Sequence, residues 1–185
     1  MKLIATNIKN LTDARFFAAY MPDMLVVPWT QAKDPVDILT WLDQVMPWIE
    51  GPVWAVEVPS DISGDDLLKI KDRGIKILIV KTEIRPVELR KDFQIFLRTA
   101  AHPTTKHDSD LFDGFIISDL DALSRVEEKN LRGEVFVELG SADDLSKVKP
   151  FLKQIDGFVL QGGDEEKVGI RSFDTLSDIL EELRF

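Results

Sequence analysis

Short apolar runs alternate with stretches of helical periodicity from one end of this chain to the other. Lys2–Ala5, Met24–Val27, Val53–Val58, Ile75–Val80, Phe93–Leu97, Phe115–Ile117, Val135–Leu139 and Phe158–Leu160 are mostly Val, Ile, Leu and Phe. Runs of that kind read as strands buried on both faces. Between them the pattern predicts helices over Leu11–Tyr20, from Asp34-Pro35 to about Ile49, over Asp65–Asp72, after Pro86, over Leu120–Lys129, after Ser141 and over Asp174–Leu183. The punctuation agrees with this assignment. Pro35 suits a first helical turn, where a missing N–H has no partner to lose. Gly74 suits a helix end, where the backbone turns left-handed. Ser141-Ala142-Asp143-Asp144 has the spacing of a capping box. The rhythm breaks once. Ala100–Leu111 holds Pro103 and the polar run Thr104-Thr105-Lys106-His107-Asp108-Ser109-Asp110, so a loop or a single helical turn is expected there.

Strands joined by crossing helices must pair in parallel. A count of eight favours a (β/α)8 TIM barrel over an open doubly wound sheet. A single domain spanning residues 1–185 is expected, with a shortened or missing helix after strand five. That saving fits a chain below the usual barrel span of about 200 residues or more. In such a barrel the carboxyl ends of the strands converge on one mouth. The residues placed there are Thr6, Glu57, Lys81, Arg98, Ser118, Asp119, Glu138 and Gln161. Two cations and several acids closing apolar runs are unusual for core positions. They admit two readings: a ligand cavity in which Lys81 and Arg98 meet an anionic group while Glu57 or Glu138 acts as base, or a layer of barrel ion pairs in which the four neutralise one another.

The last strand runs directly into Gly162-Gly163, and Asp164-Glu165 and Gly169-Ile170-Arg171-Ser172 follow. Glycines at a strand end let backbone N–H groups approach a ligand closely, and a helix start nearby favours an anion. Gly140 and Ser141 offer similar donors after strand seven. Together they predict a partial phosphate site, or, more simply, turns that start helices.

Hydrophobic residues make up 44% and charged residues 30% of the chain, as in an ordinary globular domain. There is no cysteine, which removes disulfides, thiolate metal sites and cysteine nucleophiles and fits a cytoplasmic protein. No membrane-length apolar run and no basic leader with an apolar stretch are visible. Net charge is −10 with no basic cluster, so neither nucleic acid nor a membrane surface is an expected partner. His102 and His107 share a polar loop with Asp108, and the spacing reads as surface, not as a metal site. Trp41 and Trp48 lie at helical spacing and are expected in the core. Trp29 is placed to line the mouth or to cover the barrel core. Oligomeric state is not legible.

Three segments resemble the phosphoribosylanthranilate isomerase family. Ile4-Ala5-Thr6-Asn7-Ile8-Lys9-Asn10-Leu11-Thr12-Asp13-Ala14 is similar to that family's first strand and loop. Asp113-Gly114-Phe115-Ile116-Ile117-Ser118 is similar to its sixth strand. Val159–Glu165 with Gly169-Ile170-Arg171-Ser172 is similar to its last strand and the helix start that follows. The resemblance implies a barrel, a phosphorylated sugar derivative as substrate class, no cofactor and an Amadori rearrangement. In that family a cysteine after strand one is the general base and an aspartate after strand six the general acid. Here those positions hold Thr6 and Ser118. Neither hydroxyl titrates near neutrality, and each lost acid or base is worth about 10²–10⁴-fold. Asp119, one residue on, substitutes for the acid only if its side chain turns inward, against the usual strand alternation. The expectation is therefore an isomerase-like barrel with activity absent or much reduced. The alternatives are a non-catalytic binding or scaffold barrel, and a different enzyme on a phosphorylated sugar using Glu57 or Glu138 with Lys81.

Overall fold

The structure is a computed structural model that describes residues 1–29, 35–81, 89–100, 111–125, 133–163 and 172–183. Eight strands, β1 Lys2–Thr6, β2 Met24–Pro28, β3 Val53–Val58, β4 Ile77–Val80, β5 Gln94–Thr99, β6 Gly114–Ile117, β7 Glu134–Glu138 and β8 Gly157–Gln161, form a closed barrel in sequence order. Every neighbouring pair is parallel, and β8 returns to β1 with Lys2 opposite Gly157 and Thr6 opposite Gln161. The described α-helices are α1 Leu11–Ala18, α2 Pro35–Val45, α3 Gly64–Asp72, α4 Ala142–Val148 and α5 Asp174–Leu183. The chain is the expected TIM barrel. The Pro86 helix start and the loop expected after strand five lie outside the described residues.

Strand alternation separates two apolar layers. Ile4, Met24, Val26, Ala55, Ile77, Ile79, Phe96, Ile116, Phe136 and Val159 form the filling of the barrel. The intervening positions, among them Ala5, Leu25, Val56, Leu78, Ile95, Val137 and Leu160, belong to a larger cluster with Phe17, Leu42, Ile70, Val148 and Ile179 of the helices. Phe96 and Phe136 meet in the interior with ring centroids 6.0 Å apart. Gly114 is a glycine because a Cβ there would overlap the Phe96 ring.

An aspartate clip recurs at the amino-terminal end of the barrel. Asp23, Asp113 and Asp156 each stand just before an even-numbered strand. Their carboxylates accept the N–H groups of Leu3, Ile95 and Val135, each at 2.8 Å. Their own N–H groups donate to the carbonyls of the same three residues at 2.8, 2.8 and 2.7 Å, and their carbonyls accept from Val53, Glu134 and Lys2 at 2.9, 3.1 and 2.9 Å. One residue thus joins three consecutive strands and satisfies strand-end groups that would otherwise go unpaired. At β4 the place belongs to Lys76, which keeps the carbonyl contact to Gln94 at 2.8 Å.

The structure departs from the sequence reading in four places. The segment after β6 is a 3-10 helix over Leu120–Arg125 as far as it is described. The Asp119 carboxylate accepts the Asp121 N–H at 3.0 Å and its carbonyl accepts from Ala122 at 3.1 Å, an i→i+3 start that tightens the turn. Trp48 is not core: it is 82% exposed. Pro47 has no N–H to continue α2, so the chain tightens into a 3-10 turn over Met46–Trp48 and Trp48 leaves the face that Trp41 occupies. Trp29 packs in the layer between barrel and helices instead of lining the mouth. β4 also starts two residues later than the apolar run, at Ile77, after Gly74 leaves α3 with φ +76°.

Replacing Asp156 by alanine should lower stability by about 1–3 kcal/mol, since it strands a buried N–H on β7. Urea unfolding would read this as a lower midpoint at unchanged slope, and an unmoved midpoint would remove the clip from the account of barrel closure.

Candidate functional site

The strand parity that fills the barrel also builds its carboxyl-terminal rim. Two residues beyond the interior layer, the eight strands present Thr6, Pro28, Glu57, Lys81, Arg98, Ser118, Glu138 and Gln161. Every charged or amide side chain in that ring is tied to another. Lys81 Nζ lies 2.9 Å from Glu57 Oε1, and Arg98 Nη2 lies 3.2 Å from Glu57 Oε2. Arg98 Nη1 donates to Glu138 Oε2 at 2.8 Å, and Gln161 Nε2 donates to Glu138 Oε1. The arc runs Lys81–Glu57–Arg98–Glu138–Gln161 and draws on five of the eight strands. Glu57 and Glu138 are 14% exposed and Arg98 is 11% exposed, whereas Lys81 at 69% reaches into solvent.

The charges balance: two carboxylates against one guanidinium and one ammonium. Arg98 is the centre, because it alone touches both acids, and the planar fork of its guanidinium suits two carboxylates. Its Nε is buried without a hydrogen-bond partner, and Nη2 faces Glu57 as an ion pair without hydrogen-bond alignment. The ion-pair layer read as one alternative from the sequence is the arrangement these side chains adopt.

Thr6 is fully buried, and its Oγ1 donates to the Leu160 carbonyl at 3.4 Å. Ser118 is exposed, and its Oγ donates to the Thr99 carbonyl at 3.2 Å. Asp119 is also exposed, and its carboxylate is engaged with the N–H of Asp121 at the start of the 3-10 turn. It stands one residue past the rim position, on the opposite parity.

The two loops read as phosphate donors are held from within the chain. After β7, Asp144 Oδ2 accepts the N–H groups of Gly140 and Ser141, both at 3.0 Å, and Oδ1 accepts from Lys147 at 3.0 Å. Desolvation works upward on the Asp144 carboxyl. The bonds from Lys147, Gly140 and Ser141 outweigh it and hold the group below its ordinary value. After β8, the Gly162 N–H donates to the Thr6 carbonyl at 2.7 Å and the Gly163 N–H to Asp13 Oδ2 at 3.3 Å. Asn7, in the left-handed region at φ +59°, donates from Nδ2 to the Gly162 carbonyl at 2.9 Å. A Cβ on Gly162 would lie 2.8 Å from the Asn7 carbonyl oxygen and 2.9 Å from Asp13 Oδ2. That glycine is therefore required by the close approach of the loop after β1. Arg171 lies outside the described residues, as do His102 and His107. Among the described residues no three His, Cys, Asp or Glu side chains gather as metal ligands, and no helix is long and apolar enough to cross a membrane.

Sequence reasoning missed Asp13, which is fully buried. Its backbone N–H is capped by Asn10 Oδ1 at 2.7 Å, and Asn10 Nδ2 reaches its carboxylate at 3.3 Å. The Asn-x-x-Asp spacing at a helix start was the available signal.

No family model matches the chain, and no curated protein matches it. Solved structures do. Phosphoribosylanthranilate isomerase from Thermus thermophilus superposes over 99% of this chain and 98% of its own at TM-score 0.72 and 13% identity. The enzyme of the same name from Thermotoga maritima covers 98% and 97% at TM-score 0.72 and 12% identity. That from Pyrococcus furiosus covers 98% and 97% at TM-score 0.64 and 18% identity. A phospho-2-dehydro-3-deoxyheptonate aldolase from Thermotoga maritima matches equally well, with TM-score 0.71 over 100% of this chain and 68% of its own at 13% identity. The likeness read from three short segments thus extends to the whole length, and at these identities what it establishes is the barrel these enzymes share.

Proposed function

We propose that this chain is a phosphoribosylanthranilate-isomerase-like barrel that does not carry out the rearrangement and works as a non-catalytic binding or scaffold protein. The observation that carries the reading is the engagement of all four carboxylate oxygens of Glu57 and Glu138 by Lys81, Arg98 and Gln161. Each of these oxygens already faces a cation or an amide N–H, so a substrate proton would compete with a partner in place. The two positions where the resemblance puts acid and base hold hydroxyls that donate to backbone carbonyls. The reading of Lys81 with Glu57 or Glu138 as a different catalytic set is disfavoured by the same engagement. A phosphate at Gly140, Ser141 or Gly163 would have to compete with Asp144 and Asp13 for the same N–H groups.

Two measurements test this. Expression of the chain in a tryptophan auxotroph lacking the isomerase should give no growth, and the purified protein should show no turnover of phosphoribosylanthranilate; growth at a normal rate overturns the proposal. Inorganic phosphate and ribose 5-phosphate at millimolar concentration should leave the unfolding temperature unmoved. A ligand at 100 times its Kd would add about 2.7 kcal/mol, so a concentration-dependent rise would show that the loops after β7 and β8 still bind.

The rim itself makes a separate prediction. Arg98→Met leaves two carboxylates facing each other and should cost up to about 3–5 kcal/mol. Replacing the triad together, as Glu57→Leu, Arg98→Met and Glu138→Leu, should recover most of that loss. Urea denaturation of the parent, the single and the triple variant distinguishes this from a rim in which each side chain acts alone, for which the triple variant would lose more than Arg98→Met does.

A further inference from the structure

Trp48 is exposed on the outside of the barrel, where Pro47 turns it off the buried face of α2. It stands at the end of the 3-10 turn that follows α2. With Leu11 and Arg15 of α1 and with Trp41, Asp43 and Pro47 it borders a groove of about 660 Å³ between the two helices. Trp41 forms a fixed wall, since its ring meets Trp54 of β3 edge-on at 6.4 Å. Trp48 at 82% and Leu11 at 38% exposure are the free apolar surface.

The charges of the groove are unequal. Arg73, the C-cap of α3, grips Asp43 bidentately, Nε to Oδ1 and Nη2 to Oδ2, both at 2.7 Å. The carboxylate is thereby neutralised. Arg15 is exposed, and among the described residues it makes no side-chain hydrogen bond or ion pair. Among the described residues it is the one cation bordering the groove. A channel with two tryptophans on the α2 side and Leu11 and Arg15 on the α1 side is therefore set into a chain of net charge −10.

We infer that the α1–α2 groove is a docking site for an acidic amphipathic segment of a partner protein, which seats its apolar residues against Trp41 and Trp48 and a carboxylate on Arg15. Trp and Arg are the side chains that most often dominate binding energy at such surfaces, and an apolar helix face laid in a groove is a recurring mode of recognition. The carboxylate is specified by charge. A neutral segment would leave Arg15 facing apolar surface without a partner, and a basic one would repel it. A second copy of this chain would bring −10 against −10. A single segment brings only its few local acids to the cation, within a screening length of about 8 Å at physiological salt. The inference goes beyond the non-catalytic reading and does not depend on the rim, so the two stand or fall on different measurements.

The test is fluorescence anisotropy with the full chain. The probe is a fluorescein-labelled helical peptide with leucines at i, i+3, i+4 and i+7 and glutamates flanking them. Saturable binding is expected. Trp48→Ala and Arg15→Glu should each weaken it about tenfold or more, and their unfolding temperatures should stay at the parent value because both side chains are exposed. The same peptide with lysine for glutamate should not bind. The inference is overturned if the acidic peptide fails to bind up to millimolar concentration, if the lysine peptide binds equally well, or if Trp48→Ala leaves the affinity unchanged. It is also overturned if sedimentation without peptide shows a dimer that Trp48→Ala abolishes, since a second copy would then be the occupant.

Discussion

Closure of eight parallel strands into a ring is the constraint on which the rest of this molecule depends. A parallel strand has a side-chain period of two, and closure leaves no edge at which register could drift. Once Ile4 pairs with Met24 on one side and with Val159 on the other, each inward position around the barrel is fixed. The same arithmetic sends Phe96 and Phe136 to the filling and Arg98 and Glu138 to the rim. The aspartate clips of Asp23, Asp113 and Asp156 secure the opposite end. Each holds three strands at a point where strand-end donors have no sheet partner.

The seam between the last and first strands shows how closure and the candidate site constrain each other. Gly162 lies against the loop after β1 so closely that no side chain fits. Asn7, the Thr6 carbonyl and Asp13 use the polar groups of Gly162 and Gly163. The glycine pair that marks an anion site in a barrel loop serves here to join two loops. The Asp144 carboxylate plays a comparable part after β7, where it fills the donors of Gly140 and Ser141. In both loops a negatively charged group is already present at the backbone N–H groups, and it belongs to the chain itself.

At the mouth, electroneutrality within the ring is decisive. Two acids this little exposed are costly to bury without a countercharge. Arg98 between them and Lys81 beyond them supply it. The same arrangement gives each of the four carboxylate oxygens a partner from within the ring. A mouth of this construction contributes to holding five strands together, and it leaves the helices and loops outside the barrel as surface available to a partner.

The order and number of the strands were legible along the chain. Apolar runs, Pro35, Gly74 and the Ser141 cap are local signals, and local physics is what a sequence displays. The rim residues were legible too, because each ends an apolar run and a parallel barrel brings such ends together. Three things were not. Trp41 and Trp48 share a helical spacing, yet Pro47 redirects the second to the surface, and only the path of the chain reveals it. Whether Glu57, Arg98 and Glu138 face a ligand or one another depends on distances across strands 40 and 41 residues apart in sequence. The role of Gly162 depends on Asp13 and Asn7, which reach it from the far end of the chain. Sequence determined which residues meet at the mouth, because period and strand count suffice for that. Tertiary structure alone decided how they pair, because pairing is set by side-chain reach across the closed ring.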